Sequence, residues 1–485
     1  MPIVAVDDTD SRERGMCTTY VGARLAERLD AAGGRVRRRL LVRLNPAVKH
    51  KTRGNAAVAL HVSGVDTEAA FDLAAETVEE FAAADDPRTS PGVVVADIDV
   101  DDVGAVGVAS GPSPTDPPST SAAPIPADVA DFARRALRHR LSLDEALDLA
   151  DEHGFRHAAF GSGGETDTEA VAGRGRIGAL AAVGAPAAFD DWTVERITYR
   201  ELDRCGTPRD IDIESVFAAA DRGYPTVWDT VDRETGKAVC VPNAPGPILH
   251  GIRGDDGDAC REVAETITSE PVERTATFLT NQGTDAHLAS GAIGDLRDGA
   301  GYRVAGVVAS EPETKRGGHV HVDVAAPADG RDDSRLRCLA FKPTGRFRDH
   351  VRALRPGDRV TVCGEHEVRD AKVDSGDTEG DSGDAGADSN PATETLKLEK
   401  FAVRDLIETE PAVPTCSDCG RSMSSAGRGQ GYRCRDCGTD APGKVEEPID
   451  RELEPGWYEV PPSARRHVAK PLIRGGFDGP IHPER

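Results

Sequence analysis

The sequence has no long apolar run, few aromatic residues and little lysine. It contains no eighteen consecutive apolar residues and no basic, apolar leader, which excludes a membrane-spanning helix or secretory signal and predicts a soluble, cytoplasmic protein. Positive charge is also in deficit, because 84 Asp and Glu against 59 Lys and Arg give a formal charge of -25. With only 4% aromatic residues, this composition is typical of a protein that works in concentrated salt, where the Debye length is about 3 Å at 1 M. The charge argues weakly against a nucleic-acid partner, although screening leaves local basic clusters able to bind phosphate.

The ten cysteines do not form a disulfide pattern, since six are scattered singly. The other four form two C-x-x-C-G knuckles: Cys416, Cys419, Cys434 and Cys437. Thiolates at this spacing can close a tetrahedral Zn²⁺ site with no position left for water, which predicts a structural zinc ribbon rather than a catalytic zinc. Unpaired thiols and a redox dithiol are the weaker alternatives.

An acidic turn near the N-terminus is the strongest candidate for a reaction site. It follows the apolar run at residues 3–6, turns at Gly15 and leads into a helical pattern. Its carboxylate and hydroxyl residues are Asp7, Asp8, Asp10, Thr18 and Thr19. Carboxylates here can hold Mg²⁺, while a helix start capped by Thr18 or Thr19 attracts phosphate. An acidic turn with an ordinary threonine cap is an equally weighted alternative on these residues alone.

Apolar patterning divides the chain into several units. Strands alternating with helices over residues 1–135 predict a mixed α/β sheet, within which the Pro- and Ser-rich stretch 109–126 is expected to be a loop. Residues 136–270 suggest a compact split βαβ layout. Short strands with one helix over 271–405 have the layout of a five-stranded OB barrel. An Asp- and Gly-rich insertion at 374–394 in that unit is expected to be disordered.

Two further stretches complete the organisation. The zinc ribbon is assigned to residues 406–445, and residues 446–485 form a tail that contains a basic patch. The glycine run at residues 173–178 resembles a dinucleotide motif, but no good strand precedes it, so it predicts only a turn that opens a helix at 177–183.

Ten motifs, in order along nearly the whole chain, resemble those of the archaeal agmatinylcytidine synthetases, which modify the AUA-decoding isoleucine tRNA. They are DDTDS (7–11), GMCTTY (15–20), VRLNP (42–46), KTRGN (51–55), GTPR (206–209), YPT (224–226), CVPN (240–243), GIRG (251–254), GWY (456–458) and ARRH (464–467). The resemblance implies an N-terminal ATP-binding kinase-like domain, a ferredoxin-like domain, an OB-fold domain and a zinc ribbon. Together with the composition, it points to a halophilic archaeon.

The resemblance also implies a reaction. In the family, ATP activates the C2 oxygen of the wobble cytidine in the minor isoleucine tRNA with a CAU anticodon, and agmatine replaces that oxygen. The product is 2-agmatinylcytidine, and decoding changes from AUG to AUA. The implied cofactors are ATP, Mg²⁺ and a structural Zn²⁺, and the implied partners are agmatine and the tRNA. The oligomeric state stays open.

Site residues follow from the resemblance by position. Thr18 matches the threonine that the family phosphorylates, and Asp7, Asp8 and Asp10 match its metal- and phosphate-handling acids, with Thr19 as an alternative nucleophile. Nucleotide binding is further expected at Gly15, Thr19, Arg43, Asn45, Lys51, Arg53 and Asn55. The alternative for this cationic segment is a basic strand edge that contacts RNA.

Substrate-binding candidates lie farther along the chain. For the guanidinium of agmatine they are Asp210 and Asp212, although surface acids are abundant in this chain and a solvated role is the favoured alternative for each. For tRNA they are the tail residues Arg465, Arg466 and Lys470, together with Phe341, Lys342 and Phe347 of the barrel, where a core role for the phenylalanines is the alternative.

Two competing functions remain on the sequence alone. One is a non-catalytic RNA-binding protein built from the OB barrel and ribbon. The other is a replication-type single-strand DNA binder, which leaves the first 270 residues unexplained.

Overall fold

The structure is a computed structural model and describes residues 1–13, 15–48, 54–98, 124–161, 173–327, 334–369 and 393–485. Lys51 and Arg53 lie outside these ranges, as do residues 109–123 of the expected loop and 374–392 of the expected insertion. Among the described helices, none has the length and apolarity needed to cross a bilayer.

Within the described part of the first 280 residues there are eleven strands and seven α-helices. The strands are β1 (Pro2–Asp7), β2 (Arg35–Arg43), β3 (Ala56–Ser63), β4 (Gly92–Asp97), β5 (Arg156–Ala159), β6 (Thr193–Arg200), β7 (Val227–Trp228), β8 (Val231–Asp232), β9 (Lys237–Ala238), β10 (Ile248–Gly254) and β11 (Val272–Thr280). The helices are α1 (Thr18–Ala31), α2 (Thr67–Phe81), α3 (Ala127–Ala136), α4 (Leu143–Glu152), α5 (Gly175–Gly184), α6 (Ile213–Gly223) and α7 (Gly257–Glu265).

Nine of these strands form one continuous sheet in the order β5-β4-β1-β3-β2-β11-β6-β10-β7. Neighbours run antiparallel except β2 and β11, which pair in parallel at Leu40 with Leu279 and at Leu41 with Thr280. This parallel contact joins an N-terminal half to the half that contains β6 and β10. The end of β1 therefore shares one sheet with residues almost 200 positions away.

The residues between β1 and α1 determine how the chain turns from the strand into the helix. Gly15 adopts a φ of 92°, which only glycine reaches without strain, and turns the chain. The apolar face expected for α1 is confirmed, since Val21, Leu25 and Leu29 are fully buried. The expected threonine cap is wrong, because Cys17 occupies the N-cap position and its side chain does not cap the helix. The backbone N–H groups of the first helical turn are therefore not bound by a capping side chain.

The second sheet contains β12 (Leu288–Gly291), β13 (Gly301–Val308), β14 (Glu313–Thr314), β15 (Val320–Ala325), β16 (Arg335–Ala340), β17 (Arg359–Arg369) and β18 (Thr393–Asp405). Strands β13, β15, β16, β18 and β17 pair in a closed circuit of five. Helix α8 (Phe347–Arg352) lies between β16 and β17 in the chain. Phe347 is fully buried in this core, so the stacking role considered for it is wrong and the core alternative holds.

The C-terminal part holds the cysteine knuckles and then returns to the second sheet. Its strands are β19 (Thr409–Ala412), β20 (Ser424–Ser425), β21 (Tyr432–Arg433), β22 (Asp440–Ala441), β23 (Val445–Pro448), β24 (Gly456–Glu459) and β25 (Ile481–His482). Strands β20 to β22 form a small sheet beside the paired β19 and β23. Strand β24 pairs with β18 and buries Trp457 and Tyr458, so the tail is anchored to the barrel.

Candidate active site and metal centre

A cavity of about 700 Å³ opens where β1 ends and α1 begins. Its polar end is formed by Asp7, Asp8, Asp10, Thr18, Thr19 and Arg174. Its apolar lining includes Leu41, Leu44, Leu141, Ile177, Ile197 and Ile248. The size and the mixed lining suit a nucleotide, whose base prefers apolar surface and whose phosphates prefer polar groups.

The carboxylates of Asp7 and Asp8 are both buried at the polar end. Asp7 Oδ1 accepts the Asp8 N–H at 2.7 Å, and Asp8 Oδ2 accepts the Ser90 N–H at 3.1 Å. Burial, reinforced by the neighbouring carboxylates, raises the pKa of Asp7 well above its usual value and that of Asp8 to about 6. Buried carboxyl groups with raised pKa values in a cavity are typical of a functional site, and carboxylates are the ligands that Mg²⁺ prefers.

The hydroxyl of Thr18 lies at the same end, on a side chain that is only 5% exposed. Thr9 Oγ1 donates to Thr18 Oγ1 at 3.2 Å, while Thr19 Oγ1 lies 3.1 Å from Cys17 Sγ. Both threonines belong to the first turn of α1, whose N–H groups carry the positive end of the helix dipole. The arrangement places a hydroxyl and an anion-attracting helix start beside two buried acids.

The glycine run at residues 173–178 forms the floor of the site, which sequence reasoning missed. As predicted, it is a turn that opens a helix, now α5. Arg174 forms an ion pair with Asp8 Oδ2 at 2.8 Å and is 15% exposed. A β-carbon at Gly178 would lie 1.9 Å from Asp7 Oδ2, and one at Gly175 would lie 2.7 Å from the Asp7 carbonyl oxygen. The glycines let α5 approach β1, and the clustering of glycine around one arginine was the available signal.

Replacing Gly178 with alanine is expected to lower ATP-dependent activity about 100-fold. In a helix interior this change normally stabilises a protein by about 1 kcal/mol, so any loss reflects the collision with the Asp7 carboxylate. The measurement is phosphate transfer from labelled ATP, with Gly443→Ala as control because a β-carbon there meets nothing within 4 Å. Wild-type activity in Gly178→Ala would show that Asp7 tolerates displacement.

Of the three described residues that were predicted to bind nucleotide at positions 43–55, two line the cavity. Arg43 and Asn55 line the cavity, and Asn55 Nδ2 donates to the Asn45 carbonyl at 2.7 Å. Asn45 is buried away from it and donates to the Gly299 carbonyl at 3.0 Å. Gly15 does not line the cavity either and acts as the turn described above.

Glu195 is a further cavity residue that the sequence did not reveal. It is 4% exposed, and its carboxylate lies 3.1 Å from Arg43 Nη2 and 3.3 Å from Arg253 Nε. These two guanidinium groups hold the pKa of Glu195 below its usual value despite burial. His139 and Ser142, between α3 and α4, also line the cavity. No local motif marks these residues, because only the tertiary fold brings them to the site.

The acids proposed for agmatine lie elsewhere. Asp210 and Asp212 are exposed and neither lines the cavity. Asp212 caps α6 by accepting the Glu214 N–H at 3.0 Å, and the Asp210 N–H donates to Glu270 at 2.8 Å. The carboxylate of Asp212 therefore has a structural role, and Asp210 is held through its backbone.

The tail residues proposed to contact tRNA differ from one another in burial and in their partners. Arg465 is 5% exposed and lies 3.0 Å from Glu459 and 3.4 Å from Asp229, so its charge is compensated inside the protein. Arg466 is 34% exposed and pairs with Glu365 and Glu399. Lys470 is half-buried over the Phe477 ring. In the barrel, Lys342 is exposed beside half-buried Phe341, whose ring meets His319 edge-on at 5.4 Å.

The four knuckle cysteines come together as predicted. Their sulfurs lie 3.3 to 3.5 Å apart in neighbouring pairs, close to the roughly 3.8 Å spacing in a tetrahedral Zn²⁺ site. Hydrogen bonds from backbone N–H groups, first that of Asp418, lower the pKa of the Cys416 thiol to about 6, which favours the thiolate. Within the described ranges, this is the one group of three or more His, Cys, Asp or Glu residues whose ligand atoms lie within 4.8 Å of one another. The three acids of the turn are thus not clustered tightly enough to form a metal cage of their own.

Three family models match the chain. The TiaS TCKD domain matches residues 3–162, the TiaS FLD domain matches residues 173–287 and the TiaS C-terminal zinc ribbon domain matches residues 413–453. The first two matches contain the acidic turn and the glycine run, and the third contains the four cysteines.

Relatives match over the full length. The isoleucine-tRNA 2-agmatinylcytidine synthetase TiaS of Haloquadratum walsbyi is 48% identical over 519 residues, which cover 100% of both chains. A crystal structure of TiaS in complex with its isoleucine tRNA and ATP matches with a TM-score of 0.78 at 37% identity, covering 100% of this chain and 99% of that one. A complex of TiaS with the same tRNA, AMPCPP and agmatine matches with a TM-score of 0.75 at 35% identity and the same coverage.

Proposed function

This chain belongs to the TiaS family of isoleucine-tRNA 2-agmatinylcytidine synthetases, and from that membership we infer that it is an ATP-dependent carbon–nitrogen ligase. It attaches agmatine to C2 of the wobble cytidine in the minor isoleucine tRNA and so changes decoding from AUG to AUA. The observation that carries this inference is the cavity in which Thr18, Asp7 and Asp8 meet inside a chain matched end to end by TiaS. A purely RNA-binding protein has no use for a buried hydroxyl that shares a cavity with buried acids.

The finer domain assignment is also a proposal. The half of the first sheet around β1 to β4 fits a kinase-like domain, and the half around β6, β10 and β11 with α6 and α7 fits a ferredoxin-like one. The closed circuit of five strands with α8 between β16 and β17 supports an OB barrel.

The chemistry requires activation of a poor leaving group. The C2 oxygen of cytosine leaves only after it becomes a phosphate ester, so a phosphoryl group from ATP must first reach it. The agmatine amine then forms the C2–N bond, the C2–O bond breaks, and phosphate departs with the oxygen while the nitrogen loses a proton. We assign Thr18 as the residue phosphorylated from ATP, because its hydroxyl lies in the first turn of α1 beside the acids. In that step the Thr18 oxygen bonds to the terminal phosphorus, the terminal P–O bond of ATP breaks, ADP leaves and the hydroxyl loses its proton.

The groups around Thr18 fit the handling of phosphate. The first turn of α1 and the guanidinium of Arg174 supply positive charge, and Arg43 adds more along the wall. Asp7 and Asp8 fit Mg²⁺ as one or two carboxylate ligands that act together with substrate phosphates, which is how this ion is usually held. When bound, Mg²⁺ neutralises charge on the phosphate oxygens. Lys51 and Arg53 stay candidates for the same task.

We expect the apparent magnesium requirement to rise as the pH falls through about 6. Because burial raises the pKa of Asp8 to about 6, protons compete with the metal for its carboxylate below that pH. Each further pH unit should weaken apparent magnesium affinity about tenfold. Phosphate transfer from ATP, titrated with Mg²⁺ between about pH 5 and pH 8, measures this. The exposed variant Asp72→Asn should keep the wild-type profile, and a requirement that does not change with pH would contradict the assignment of Asp8.

The barrel and the zinc ribbon are proposed to bind the tRNA so that its wobble base reaches the cavity. The wobble cytidine must leave the anticodon stack to enter a cavity lined on several sides, so we propose that it is flipped out. Phe341 and Lys342 on the barrel, Arg466 and Lys470 on the tail and the ribbon are proposed to hold other parts of the tRNA. Arg465 would support this surface from within, since it is paired inside the fold.

The reactants are proposed to meet at the wall formed by residues 242–248. Neither Asp210 nor Asp212 lines the cavity, and Glu195, which does, is already neutralised by two arginines. Pro242, Ala244 and Ile248 form a wall of the same cavity that also contains Thr18. We place agmatine against this wall.

The direct test is a complete reaction in vitro. The protein is incubated with ATP, Mg²⁺, labelled agmatine and an unmodified transcript of the isoleucine tRNA with a CAU anticodon, and the digested nucleosides are identified. We expect label in a modified cytidine only with this transcript. A transcript in which the wobble cytidine is changed to uridine is the matched control. Absence of labelled cytidine with a folded, tRNA-binding protein would overturn the proposed function.

A further inference from the structure

The GTPR motif at residues 206–209 does not touch the cavity, yet it holds one of its walls. That wall is the irregular segment 242–248, which contains three prolines and so lacks three of the N–H groups that could fix it internally. Its carbonyl groups are bound from one side by a single segment, Arg200 to Arg209. The wall therefore depends on that segment for its position.

Arg209 makes most of these bonds. Its Nε donates to the Ile248 carbonyl at 2.7 Å, and its Nη2 donates to the carbonyls of Ala244 at 2.8 Å and Gly246 at 3.1 Å. The backbone N–H groups of Gly206 and Arg200 donate to Pro245 and Pro247, each at 2.9 Å. The planar guanidinium thus ties together three carbonyls that alternate along the wall.

The turn that carries Arg209 is supported by a buried, hydrogen-bonded ion pair. The side chain of Arg200 is 1% exposed, and it donates to the carbonyls of Thr207 at 2.9 Å and Pro208 at 3.2 Å. The same guanidinium pairs with the buried Glu270 at 2.6 and 3.0 Å. This buried pair fixes the turn that presents Arg209.

On its other side the wall meets the site. Pro242, Ala244 and Ile248 line the cavity, and a β-carbon at Gly15 would lie 3.1 Å from the Pro245 oxygen. The wall thus lies against the backbone of the acidic turn at Gly15. Asp8 is held independently by Ser90 and Arg174.

We propose that Arg209 is a positioning residue for agmatine transfer, because its guanidinium sets the wall against which agmatine and the flipped cytidine are brought together. This inference rests on the proposed function. Its Nε and Nη2 atoms donate to backbone carbonyls of the wall, so it acts through the wall and not on substrate. A shift of the wall by about 1 Å should slow agmatine transfer about 100-fold, while phosphorylation of Thr18 should change little because its surroundings are held separately.

The test compares Arg209→Ala and Arg209→Lys with Arg204→Ala, which changes a half-buried arginine that pairs with Glu201 in the same region. Phosphate transfer from labelled ATP to the protein is measured without tRNA, and kcat and KM for agmatine are measured in the complete reaction. Arg209→Ala should keep phosphate transfer, lose agmatine transfer about 100-fold and regain about tenfold on adding millimolar methylguanidine. Arg209→Lys should restore little, because an ammonium does not reach three carbonyls as a fork does. Arg204→Ala should match wild type.

Two results would overturn the proposal: equal losses in both measurements, or unchanged agmatine transfer in Arg209→Ala. If Arg209→Ala does not fold, the same comparison is made with Arg209→Lys, which keeps the charge and most of the side chain. Failure of the proposed function is distinguishable, since wild-type protein would then transfer no agmatine at all.

Discussion

Replacing Thr18 with alanine is expected to abolish agmatine incorporation, with a loss of at least about 10³-fold. The substitution removes the hydroxyl and one methyl group, and the hydroxyl lies at the polar end of the cavity beside Asp7, Asp8 and the start of α1. Because the side chain is only 5% exposed and small, tRNA affinity should stay nearly intact. The loss should therefore appear in the rate of phosphate transfer and not in binding.

The matched control is Thr19→Ala, which removes the neighbouring hydroxyl in the same cavity. Labelled phosphate should appear on wild-type protein and on Thr19→Ala, and not on Thr18→Ala. Thr18→Ser keeps a hydroxyl and should retain part of the activity. Full activity in Thr18→Ala would remove this residue from the mechanism, and loss only in Thr19→Ala would transfer the role to its neighbour.

Contiguous signals explain what the sequence predicted well. Asp7, Asp8 and Thr18 lie within twelve residues, so one strand and one helix start suffice to bring them together. The cysteine knuckles are similarly local, because a single turn brings the two sulfurs of each C-x-x-C pair together. Only the contact between the two knuckles then has to form to complete the site. The apolar face of α1 followed from its periodicity alone.

Long-range contacts explain what the sequence did not reveal. Arg174 and Gly178 reach Asp7 and Asp8 from about 170 residues away, and their glycine run carried a misleading nucleotide pattern. Glu195 enters the cavity only because β11 bridges β2 and β6 in the sheet. In the tail, Arg465 is paired with buried acids that its local sequence does not contain.

Replacing Cys434 with serine is expected to unfold the ribbon and to weaken tRNA binding about tenfold or more. The apolar interior of the ribbon is very small, with Met423 as its one fully apolar buried side chain beside the cysteines Cys416 and Cys434. Structural zinc supplies about 10–16 kcal/mol of binding free energy in such modules, so the ribbon depends on its metal. Its arginines, which include Arg421 and Arg433, would lose their fixed arrangement for phosphate contact.

The remainder of the chain should be unaffected, because the cavity and both large sheets have cores of their own. Phosphate transfer from ATP to the protein should therefore continue in Cys434→Ser while tRNA affinity falls, and bound zinc should drop from about one ion per chain to none. Ser417→Ala, an exposed change between two ligands, should keep zinc and affinity. If purified wild-type protein contained no zinc, the ribbon would have to be stabilised by something other than a metal. If Cys434→Ser bound tRNA as tightly as wild type, tRNA recognition would have to reside in the barrel and tail.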